Sequence, residues 1–145
     1  MPVPGDELAT ELVRSTGRLR LAVVGSSMLP AIRPRDVLLI RRCPPDAARV
    51  GDVVLFTRDA RLFAHRVVAA GATLVTRGDA LPEPDAPVQP SELLGRVERI
   101  VRRGRVTRPR APRLGTRLAA GLFRRSARAG RVLARVDAVR RRLGW

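Results

Sequence analysis

The chain has 145 residues, enough for one domain with its own core but not for a second of ordinary size. It holds 29 basic residues, all arginine, with one histidine and one cysteine, and its formal net charge is +16. The single cysteine, Cys43, excludes an internal disulfide and a cysteine-rich metal site, and with His65 as the sole histidine no zinc site is expected.

The charge is unevenly spread. Residues 1–95 carry 12 arginines against 11 acidic residues, whereas residues 96–145 carry 17 against Glu98 and Asp137. This pattern describes a near-neutral domain with a basic appendage, and such segments attract anionic partners. The chain opens Pro2-Val3-Pro4-Gly5-Asp6-Glu7 with no basic start or apolar stretch, so no secretory signal is expected. The run Leu21-Ala22-Val23-Val24 falls far short of the about 20 apolar residues that span a bilayer. No transmembrane helix is expected, and the expected location is the cytoplasm or the periphery of a membrane.

In chain order, residues 1–18 supply a short amphipathic helix. Leu8, Leu12 and Val13 recur at helical spacing behind Asp6 and Glu7 and ahead of Gly17. Residues 19–107 then alternate short apolar runs with turn residues. Leu19–Val24, Val37–Arg41, Val53–Thr57, Leu62–Ala69, Thr73–Thr76, Leu94–Val101 and Arg105–Thr107 read as strands of a small, mainly β, antiparallel domain. The stretch 80–90 contains Pro82, Pro84, Pro87 and Pro90, and proline cannot donate to a central ladder. It reads as a loop on the surface or over a site. Residues 108–113 read as a linker. Residues 114–145 place Leu118, Leu122, Leu133, Val136, Val139 and Leu143 near a helical period, one or two basic amphipathic helices interrupted at Gly115, Gly121 and Gly130.

The chemistry centres on Ser27. A serine hydroxyl is a weak nucleophile at neutral pH and needs a neighbour to take its proton. With lysine absent, His65 is the only ordinary side-chain base, and Asp79 and Asp85 follow it. Serine, histidine and aspartate together are the parts of an acyl-transfer site. The plain alternatives are a capping serine, a strand histidine satisfied by a backbone carbonyl, and turn aspartates, the role also expected of Asp36 and Asp52. Arg66 should point to the opposite strand face from His65 and form a structural ion pair. Cys43 is a minor rival nucleophile.

Five blocks carry a resemblance: Ser27-Met28-Leu29-Pro30 with Arg35-Asp36-Val37-Leu38-Leu39-Ile40; Gly51-Asp52-Val53-Val54-Leu55-Phe56; His65-Arg66-Val67-Val68; Thr76-Arg77-Gly78-Asp79; and Leu94-Gly95-Arg96-Val97. In this order, across roughly residues 20–101, the chain resembles the type I signal peptidases and, more distantly, the SOS-repressor autoproteases. It resembles the members that use a histidine where most bacterial ones use lysine. The resemblance implies a small β-rich peptidase domain, Ser27 as nucleophile and His65 as general base. It leaves the imidazole to be oriented by either Asp79 or Asp85. It also implies that Met28, Leu29 and Pro30 shape the turn and an apolar floor beside the serine. Gly25 stands where many members have an oxyanion-holding serine, so backbone N–H groups around Gly25, Ser26 and Ser27 would serve instead. No metal or cofactor is implied, and the substrate would be a peptide or precursor protein. The missing membrane anchor departs from the family. A rival reading is an inactive peptidase-like module that binds an anionic partner through its arginine-rich tail. An anionic membrane suits that tail better than nucleic acid, because Phe123 and Trp145 are its only aromatics and give no stacking platform.

Overall fold

The computed structural model describes residues 4–110. The expected tail helices at 114–145 and residues 111–113 of the expected linker lie outside the described residues. Helix α1 spans Pro4–Thr16 and is followed by β1 (Arg18–Ala22), β2 (Val37–Arg41), β3 (Val53–Arg58), β4 (Arg61–Ala70), β5 (Leu74–Arg77), β6 (Leu93–Arg102) and β7 (Arg105–Thr107), with a 3-10 turn at Pro45–Ala47. Every expected strand is present, β2 and β7 with the expected bounds and the others with ends shifted by at most two residues. The strands form one antiparallel sheet in the order β1-β2-β6-β3-β4-β5, and β7 folds back on β6.

Turn chemistry sets the two tight hairpins. Asp59 and Ala60 join β3 to β4, and Arg103 and Gly104 join β6 to β7, with positive φ at all four residues. Two-residue hairpin turns need that left-handed geometry because its twist matches the strands on either side.

The sheet is buried on both faces at its centre. Val53 and Leu55 of β3 join Leu62 and Ala64 of β4, Leu94, Val97 and Ile100 of β6, and residues of β1 and β2 in the larger core. Val54 and Phe56 face the other way and meet Val67, Leu74 and Val88 in a smaller one. A strand with four consecutive buried residues, as β3 has, reads as an unbroken apolar run rather than an alternating one.

Helix α1 corrects one expectation. Its buried face is Asp6, Ala9 and Val13, while Leu8 and Leu12 remain 40% and 45% exposed. The reason is the Asp6 carboxylate, whose Oδ2 accepts the Leu62 N–H at 3.1 Å. That donor lies on the part of β4 that β5 does not cover. Satisfying it turns the acidic end of the helix inward and Leu8 and Leu12 outward.

Candidate active site

Ser27 lies in the segment between β1 and β2. The base of that segment is closed by Val23 N–H to Asp36 O and Arg35 N–H to Val23 O, both at 2.8 Å. Met28 and Ile32 anchor it in the larger core, and Ile32 N–H donates to Met28 O at 3.0 Å. Leu29 and Pro30 are exposed, while Gly25 and Ser26 are half-buried, and Ser26 O accepts the Leu29 N–H at 3.2 Å. The apolar floor beside the serine is therefore Met28, with Leu29 and Pro30 on the surface.

His65 belongs to the strand face that carries Phe63 and Val67, and its ring meets Phe56 edge-on at 6.0 Å and Phe63 at 6.0 Å. This aromatic wall holds the imidazole plane. Nε2 lies 3.1 Å from Ser27 Oγ, and Nδ1 lies 2.6 Å from Asp85 Oδ2.

Asp85 comes from the proline-rich loop, which runs along the outer edge of β5. Asp85 N–H donates to Thr76 O at 2.8 Å, and Leu74 and Val88 exchange backbone bonds three residues later. The Thr76 hydroxyl donates to Asp85 Oδ2 at 2.7 Å. Because Thr76 pairs with Val67, it sits diagonally beside His65 on the same sheet face, so strand register brings both donors to one carboxylate oxygen. Burial alone pushes the Asp85 carboxyl up. The His65 imidazole, the Thr76 hydroxyl and the Arg58 charge together outweigh it, and the carboxyl is held below its ordinary range. An ionised Asp85 places the ring proton on Nδ1 and leaves Nε2 free to accept the Ser27 proton.

Asp79, the other candidate, does not touch His65. Its two oxygens accept Arg66 Nε and Nη2 at 2.8 and 2.9 Å in a pair whose side chains are 7% and 4% exposed. Arg66 thus points away from His65 into an ion pair. Asp36 accepts Arg33 N–H at 2.8 Å and Asp52 accepts Arg49 N–H at 2.9 Å, both turn-closing bonds. Cys43 is half-buried, and burial pushes its thiol pKa up, which disfavours the thiolate.

Among the described residues, neither the Ser27 nor the Met28 backbone N–H donates to a protein acceptor, although both residues are at most 2% exposed. Buried donors of this kind are rare in folded proteins. Ser27 and His65 are themselves 1% and 2% exposed.

Three contributors were not singled out from the sequence. Thr76 lies within a recognised block, yet its bond to Asp85 follows from register. Arg58 looks like a solvated hairpin charge, but it grips the loop that carries Asp85, donating to Ala86 O and Pro87 O at 3.0 Å and to Glu92 at 2.9 and 3.1 Å. Gly78 packs so closely on the Ser27 segment that a Cβ there would stand 2.7 Å from Ser27 O. A scan against models of known protein families finds none that matches the chain, and no curated protein matches it.

Proposed function

We propose that the chain is a serine endopeptidase resembling signal peptidase I, acting on a peptide or precursor protein. The observation that carries this reading is the continuous line Ser27 Oγ, His65 Nε2, His65 Nδ1, Asp85 Oδ2, with separations of 3.1 and 2.6 Å on either side of the ring. Ser27 Oγ attacks a peptide carbonyl as His65 takes its proton. The Ser27 and Met28 N–H groups receive the developing oxyanion, a contribution of roughly 3 to 4 kcal/mol per donor. His65 then returns the proton to the leaving amine, and a water activated by the same imidazole hydrolyses the acyl-enzyme. Asp85 fixes the tautomer and stabilises the imidazolium.

The rival reading, an inactive binding module, gives no account of two buried, unpaired N–H groups beside a serine that touches an imidazole. The basic appendage belongs to the same proposal as a means of attachment to an anionic membrane. Arg103, Arg105 and Arg108 are exposed and enter no ion pair among the described residues, and they lead into the arginine-rich residues beyond. No helix among the described residues is long and apolar enough to cross a membrane.

The test is cleavage of peptides with small residues before the scissile bond. Ser27→Ala and His65→Ala should each lower turnover by about 10⁴ to 10⁶ and leave the fold intact. Wild-type turnover in both variants would overturn the assignment.

A further inference from the structure

Arg66 follows His65 in β4 on the opposite strand face, and four of its five guanidinium N–H groups are engaged among the described residues. Besides the two bonds to Asp79, Nη1 donates to Gly51 O at 2.8 Å and Nη2 to Arg110 O at 2.9 Å. Taking such a pair out of water is costly unless geometry and further hydrogen bonds offset it, so the pair is weak evidence for stability as such. Its connections point to alignment. Asp79 N–H donates to Met28 Sδ at 3.4 Å, and Ala80 N–H donates to Ser27 O at 2.9 Å. Gly78 allows that turn to lie against Ser27. One end of the ion pair is thus rooted beside the base, and the other in the turn that grips the nucleophile and its neighbour.

We infer that Arg66 and Asp79 are positioning residues that set the Ser27–His65 separation, and that residues 108–110, seated on the same guanidinium through the Arg110 carbonyl, are the outer part of that support. The inference rests on the Ser-His-Asp reading. Proton transfer needs the hydroxyl within hydrogen-bond reach of the imidazole, and a displacement of about 1 Å costs about a hundredfold in rate. A bidentate arginine fork fixes both distance and direction, which a lysine point charge does not.

The test uses the full chain with Arg66→Lys, Asp79→Asn, and a two-glycine insertion after Thr107, which shifts Arg110 off its seat. The first readout is the rate at which a fluorophosphonate modifies Ser27, taken across pH at a temperature where each variant is folded by circular dichroism. Arg66→Lys and Asp79→Asn should slow labelling about ten- to a hundredfold with the pH midpoint unmoved, because His65 and Asp85 are untouched. The insertion should slow it less. The second readout needs no activity: amide exchange at Ala80, whose N–H holds Ser27 O, should speed up in Arg66→Lys. Wild-type labelling and wild-type Ala80 protection in folded Arg66→Lys would overturn the inference, even if its melting temperature fell. An unlabelled wild-type Ser27 would count against the peptidase reading, while Ala80 exchange would still decide the positioning role.

Discussion

Asp79 and Asp85 stand six residues apart in two contrasting surroundings. Asp79 is buried against a permanent cation that occupies both its oxygens, and its side chain is 4% exposed. Asp85 is 20% exposed and receives an imidazole and a hydroxyl on one oxygen. A carboxylate locked to a guanidinium is committed to holding parts together, whereas one bonded to an imidazole can answer the charge that ring acquires during proton transfer. On the proposed mechanism the same side chain serves alignment in one place and electrostatics in the other, and the partner decides which.

The comparison breaks most sharply in rate. Asp85→Asn presents an amide donor to Nδ1, favours the wrong tautomer, and should cut kcat/KM by about 10⁴ with little loss of fold. Asp79→Asn should cost the rate about a hundredfold at most. In stability the order reverses. Asp79→Asn leaves Arg66 buried and uncompensated, a loss of about 3 to 5 kcal/mol seen in chemical denaturation, and Asp85→Asn should cost much less. Gly78→Ala should follow at about 1 to 3 kcal/mol, since the added methyl meets Ser27 O and the turn must shift. Thr76→Val removes one of the two donors to Asp85 Oδ2 and should lower kcat/KM about tenfold.

The acid limb of stability sharpens the same contrast. Because the folded Asp85 carboxyl titrates below its unfolded value, its contribution is present above the unfolded pKa and is lost as pH falls through the folded one. The stability gap between wild type and Asp85→Asn should therefore close only below the ordinary carboxylate range. A gap that persisted unchanged at that acidity would show that the His65 and Thr76 bonds do not hold the charge.

The strands were legible because Val- and Leu-rich runs and turn residues such as Asp59-Ala60 are local signals. The pairing of Ser27 with His65 was legible, since a lysine-free chain leaves one ordinary side-chain base for the serine to meet. The choice between Asp79 and Asp85 was not legible. It depends on a bulge between Val67 and Ala69 and on a loop laid along β5, and both are long-range outcomes of packing. Arg58 was hidden for the same reason, since its carbonyl acceptors lie 28 and 29 residues away. The inward face of α1 was misread because Leu8 and Leu12 fit the helical period, while a buried acid that satisfies a strand N–H leaves no trace in hydrophobic patterning.

The central claim is that Ser27 is a nucleophile activated by His65. The most direct measurement is to treat the full chain with a fluorophosphonate and locate the adduct by peptide mass mapping, in wild type and in His65→Ala. The account predicts one adduct, on Ser27, formed at least about a thousandfold more slowly without His65. No adduct, an adduct on Ser26 or another serine, or equal labelling of Ser27 in the His65→Ala protein would contradict it.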